Sequence, residues 1–139
     1  MSFRIITAVA IAAALIGSAV AFAAQPAKDS SFAWCTGKNM CPMTFNTNKK
    51  GTKIVNMSLY TKCAAVPMAD GYWPNMRVND KGKFKRSGTA VDVIGQAIDF
   101  TIKGRFKKPG KAVGTYQVER KGCNDGEHEF VAKRQGAVG

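Results

Sequence analysis

Between residues 97 and 106 apolar and polar residues alternate without a break: Ile98, Phe100, Ile102, Gly104 and Phe106 occupy one set of positions, and Ala97, Asp99, Thr101, Lys103 and Arg105 the other. A period of two places the first set on one face of a β-strand and the second on the other, so the segment demands a core on one side and solvent on the opposite side. The punctuation Lys107-Lys108-Pro109-Gly110-Lys111 comes next, and Gly114, Tyr116 and Val118 then alternate with Thr115, Gln117 and Glu119. Together they read as a hairpin with a five-residue loop.

The same grammar recurs upstream. Met43, Phe45 and Thr47 alternate before the turn Asn48-Lys49-Lys50-Gly51, and Val55, Met57 and Leu59 alternate after it. Residues 76–78 and 83–85 flank Asn79-Asp80-Lys81-Gly82, a turn composition, and residues 90–94 are rich in β-formers. After Asn124-Asp125-Gly126 the chain enters residues 127–133, in which His128, Phe130 and Ala132 share a face. About eight short strands separated by Gly- and Asn-rich turns predict an all-β fold. An antiparallel β-sandwich, immunoglobulin-like or similar, is the first expectation, and a small β-barrel is the alternative.

The N-terminus has a different character. Arg4 precedes an uncharged run from residue 5 to residue 17, and Ala21-Phe22-Ala23 fits the small-x-small cleavage rule. Residues 1–23 therefore read as a signal peptide, which makes the mature chain periplasmic or secreted. An uncleaved membrane anchor is the competing reading, since the run is just long enough to span; the short charged region and the cleavage site favour removal. The remaining chain has the size of one domain, expected over residues 24–135 with a frayed tail at 136–139, and contains no second apolar run that would cross a membrane.

Export changes how the cysteines are read. Cys35, Cys41, Cys63 and Cys123 all lie beyond the leader, and an even count in a small exported domain predicts disulfides. Of three connectivities, Cys35 with Cys41 and Cys63 with Cys123 are favoured, the first closing a tight loop and the second joining distant strands. A zinc site is the competitor, but its ligands come in closer Cys pairs than these.

Catalytic chemistry finds little footing. His128 is the sole histidine, and Glu127 and Glu129 beside it fall on the opposite face of a strand, where they cannot orient it. Asp92 and Asp99 have the types of an acid and base pair without a second supporting feature. Glycine-rich phosphate loops are absent, and Asn124-Asp125-Gly126-Glu127 is too short for a calcium loop. No cofactor is expected, and the chain reads as a non-enzymatic binding or structural module, with an enzyme of unrecognised type ranked behind the binding readings.

Its charge points to a partner class. The net charge is +12, of which only Arg4 leaves with the leader, and such an excess favours an anionic envelope polymer or an anionic lipid surface. One cluster comprises Lys81, Lys83, Lys85 and Arg86; a second comprises Lys103, Arg105, Lys107, Lys108 and Lys111 on the main hairpin, with Lys103 and Arg105 on a shared outward face. Nucleic acid fits less well, because the aromatics nearby, Phe84 and Phe106, are committed to the core. A competing reading makes the charges a solvated face. An alternative function, an inhibitor or effector of a protein target, would use the apolar loop at residues 64–75, with Tyr72 and Trp73, or the loop closed by Cys35 and Cys41.

The C-terminal half also resembles small secreted bacterial domains of unknown function. The matching positions are Gly104-Arg105-Phe106, Ala112-Val113-Gly114-Thr115, Cys123-Asn124-Asp125-Gly126 and Ala132-Lys133-Arg134. The resemblance covers about half the mature chain and implies a secreted β-sandwich without implying an activity.

Overall fold

The computed structural model describes residues 24–66 and 74–139. Among the described residues nine strands form in chain order: β1 (Ser30–Trp34), β2 (Met43–Thr47), β3 (Lys53–Tyr60), β4 (Ala65–Val66), β5 (Met76–Arg77), β6 (Lys83–Val91), β7 (Ala97–Lys108), β8 (Lys111–Arg120) and β9 (Cys123–Ala137). All belong to one antiparallel sheet of order β4-β3-β2-β1-β9-β8-β7-β6, with β5 also paired to β3. No helix among the described residues is long and apolar enough to cross a membrane.

The all-β class is as expected, and of the two arrangements the chain adopts the barrel. Strand β5 pairs with β3 through Lys53↔Arg77 and Ile54↔Met76. It then turns at Asn79-Asp80-Lys81-Gly82, where the Asn79 side-chain oxygen accepts from the Lys81 and Lys83 amides at 3.0 and 2.9 Å. That turn delivers β6 to the far edge of the same sheet, which curls until β6 faces β3. Across the remaining seam, Val93 N donates to Ala65 O at 3.0 Å. The barrel is thus nearly closed, and two packed sheets are not formed.

Period two decides which side chains fill it. On β7, Ile98, Phe100, Ile102 and Phe106 are buried while Asp99, Thr101, Lys103 and Arg105 are exposed. The β7–β8 connection is tighter than a five-residue loop: Lys108 pairs with Lys111 across Pro109-Gly110, with a bulge after Phe106. The segments at residues 83–85 and 90–94 belong together, since β6 runs through to Val91 before turning at Asp92. On β3 the buried apolar residues are Ile54, Met57 and Leu59, not Val55. Here Phe45 opposes both Asn56 and Met57, and Asn56 takes φ 48°, the left-handed value that such a bulge accommodates. The expected tail is part of the sheet up to Ala137, because Gly136 and Ala137 pair with Ser31 and Ser30.

Inside, aromatic rings run down the barrel in contact. Phe45 stacks on Phe32 at 5.1 Å, Phe32 meets Phe106 edge-on at 5.5 Å, and Phe106 continues to Phe84 at 5.7 Å. Phe84 reaches Phe130 at 6.5 Å, and Tyr116 links Phe130 to Trp34 and His128. Such offset and edge-on contacts add to the burial of each ring. The turns after β2, β5 and β7 lie at one end of the barrel. The disulfides Cys35–Cys41 and Cys63–Cys123, paired as expected, lie at the other.

Candidate functional site

The exposed face of β6, β7 and β8 nearer the turn end carries an open groove of about 650 Å³. Gly104 and Gly114 pair at its floor, flanked in register by Phe84 on β6 and Phe130 on β9. Neither glycine has room for a Cβ: at Gly104 it would lie 2.5 Å from the Phe84 ring, and at Gly114 2.1 Å from the Lys103 carbonyl. The inner rings therefore close directly over the backbone of the groove floor.

Arg77, Lys83, Lys85, Lys103 and Arg105 line this groove. Register sets them opposite one another: Lys83 faces Arg105, Lys85 faces Lys103, and Arg77 faces Lys53. Like charges directly opposite on neighbouring strands repel and weaken the sheet. Compensation is sparse. Lys103 meets Glu127 at 3.3 Å, with both groups about half exposed and hence weakly bound, and Glu127 also accepts from the Thr115 hydroxyl at 3.1 Å. Among the described residues Arg77, Lys83, Lys85 and Arg105 have no acidic partner.

Of the residues expected to form a basic patch, Lys103 and Arg105 stand in the groove, joined by Lys83 and Lys85 from the other cluster. Lys107, Lys108 and Lys111 sit at the hairpin end outside its lining, with Lys111 opposite Lys133. Arg77 is invisible to pattern reading because its strand is two residues long and shows no period. Tyr72 and Trp73 lie outside the described residues. Cys35, Cys41, Cys63 and Cys123 are consumed by disulfides, which leaves no thiolate among them for a metal.

Asp92 and Asp99 are not brought together as an acid and base pair. Asp99 accepts from the Thr89 hydroxyl at 3.0 Å on the outer face. Asp92 is buried, and one carboxylate oxygen accepts from the Ile94 and Gln96 amides at 3.0 and 2.9 Å while the other lies 3.8 Å from Arg120. Its role is to hold the β6–β7 turn. Asp92→Ala is expected to lower stability by about 2 kcal/mol through two unpaired amides, whereas Asp92→Asn, which keeps the accepting oxygen, retains most of it. Urea denaturation of both variants checks the difference.

His128 has a partner that spacing hides. Its Nε2 donates to the Asp125 carbonyl at 2.8 Å and lies 3.5 Å from the Asp125 carboxylate. The same carboxylate accepts from Lys62 N at 3.2 Å, next to the Cys63–Cys123 bridge. Tyr116, Thr61 and Lys62 line one cleft with the pair; Cys41 also lines it, but its sulfur is held in the bridge to Cys35, and no serine is among the described residues lining it. Comparison of the chain with protein-family models, curated proteins and solved structures finds no match.

Proposed function

We propose that the protein is an exported, non-enzymatic binding module that holds a linear polyanion of the cell envelope in the groove between β6 and β8. The observation that carries this reading is the placement of Lys83 against Arg105 and Lys85 against Lys103, beside Arg77 against Lys53, with so little carboxylate among them. A sheet needing only a solvated surface would interleave the two signs. Cationic pairs opposed across strands lower stability unless an anion is shared between them.

Strand geometry also suits a polymer. Residues two apart on one strand stand roughly 6.5 Å apart and neighbouring strands roughly 5 Å, so the four inner cations form a small lattice that successive phosphates or sulfates of an extended chain can span. Two disulfides support a periplasmic or secreted setting, where such polymers are available.

Retention on a polyphosphate resin tests the reading. Replacing Lys83, Lys85, Lys103 and Arg105 together by Gln should flatten the dependence of log affinity on log salt by roughly 3, since each neutralised phosphate contributes somewhat less than one to the slope. Removing an equal charge at Lys107, Lys108, Lys111 and Lys133 should cost distinctly less. Equal losses from the two quadruple variants would show that net charge, and not the groove, governs retention.

A further inference from the structure

At the disulfide end, away from the basic groove, a second cleft of about 670 Å³ opens between the Cys35–Cys41 loop, the end of β3 and the inner face of β8 and β9. Tyr116 and His128 lie in it with ring centroids 5.3 Å apart. Tyr116 is only 4% exposed, yet its hydroxyl has no hydrogen-bond partner among the described residues. Buried tyrosine hydroxyls are almost always paired, so an orphaned one beside a cleft marks a place where something else supplies the acceptor. Burial and the nearby Asp125 charge raise the Tyr116 pKa, which keeps the hydroxyl a donor at neutral pH.

The other groups in the cleft carry unspent capacity of mixed kind. His128 uses Nε2–H on the Asp125 carbonyl, leaving Nδ1 as an acceptor in the neutral ring. Asp125 engages one carboxylate oxygen with Lys62 N and has the second unengaged among the described residues. Tyr60, 51% exposed, and Met40, 67% exposed, offer apolar surface on the wall. Lys62 and Asp125 balance in charge, so neither an anion nor a cation is favoured. The wall is held in place by the Cys63–Cys123 bridge and the Lys62–Asp125 hydrogen bond, and the site is therefore preformed.

We infer that this cleft binds a neutral, hydroxyl-bearing ring of sugar size, whose apolar face rests against Tyr60 and whose hydroxyl edge meets Tyr116, His128 and Asp125. Sugar hydroxyls both donate and accept, which matches a floor offering a donor in Tyr116 and acceptors in His128 and Asp125. Charge complementarity separates this ligand from the one assigned to the groove: the cleft is near neutral in a strongly basic chain.

The test uses the intact oxidised protein and a panel of glucose, N-acetylglucosamine, cellobiose and chitobiose, followed by NMR at the His128 ring and the β8 and β9 amides. At least one sugar should give saturable shifts confined to the cleft. Tyr116→Phe should then weaken that sugar about tenfold while leaving the melting temperature unchanged or higher, because the hydroxyl removed has no partner in the protein. Tyr60→Ala should weaken it by a similar factor. No saturable shift with any member of the panel overturns the assignment. So does binding that Tyr116→Phe leaves intact, and so does a drop in melting temperature on Tyr116→Phe, which would give the hydroxyl a structural role.

Discussion

Gly114→Ala is expected to destabilise the barrel by about 3 kcal/mol or more, a large fraction of the stability of a small domain. The added Cβ would sit 2.1 Å from the Lys103 carbonyl, 2.7 Å from the Gly104 Cα and 2.9 Å from the Phe130 ring. Two of those three contacts are backbone of the neighbouring strand, so no side-chain rotation relieves them. Strands β7 and β8 would have to separate at the middle of a long hairpin whose pairing runs from Asp99↔Glu119 to Lys108↔Lys111. Chemical denaturation compares this variant with Gly136→Ala, where a Cβ meets nothing within 4 Å and stability should stay within about 0.5 kcal/mol. Similar midpoints for the two would mean that the sheet is not closed over the glycine pair as described.

The second large effect concerns the long disulfide. Replacing Cys63 and Cys123 together by Ala should lower stability by roughly 4 kcal/mol on the loop-entropy account, against roughly 2 for Cys35 and Cys41. The difference arises from sequence separations of 60 and 6 residues. Loss of packing adds to it, since Cys63 is 1% exposed. Thermal melts of the two double variants under oxidising conditions check the order. A greater loss from the short loop would indicate that the β1–β2 connection, and not the β3–β9 tie, limits the fold.

What the sequence makes legible is local. The alternation on β7, the returning strand and the inward set on β9 are all readable, because a period of two reports which face of a strand is buried. It says nothing of which strands are neighbours, and so the choice between sandwich and barrel rests on the two-residue β5, which places the β6 hairpin against β3. Strand β1 is not readable at all. In Ser-Ser-Phe-Ala-Trp the buried residues are Ser30, Phe32 and Ala33, and a register shift between Ser31 and Phe32 interrupts the alternation. A buried serine looks like a loop residue until its partners are seen: Ser30 N donates to the Thr47 hydroxyl at 3.1 Å, and its own hydroxyl donates to Lys28 O and accepts from Arg134.

The candidate sites are half legible for the same reason. Two basic clusters stand out along the chain, but that Lys83 faces Arg105 depends on the register of β6 against β7. The His128 pair is subtler. Strict alternation from His128 sends Asp125 to the outer face, yet Val118 opposes both Asp125 and Gly126 in a bulge, and Gly126 takes φ 74°. That left-handed residue returns Asp125 to the side of His128, which no count of positions would reveal.

The pairing of β1 with β9 governs when this chain can fold. Strand β1 lies in the sheet between β2 and β9, with Ala33 opposite Lys133 and Phe32 opposite Arg134, and Val138 N reaches Asp29 O at 2.9 Å. The barrel therefore cannot close until β9 is available, and contacts so distant in sequence form slowly. A chain whose first and last strands are neighbours has no closed sheet to offer while any part of it is missing. By tying its first strand to its ninth, this one makes completion of the barrel the last event of its folding.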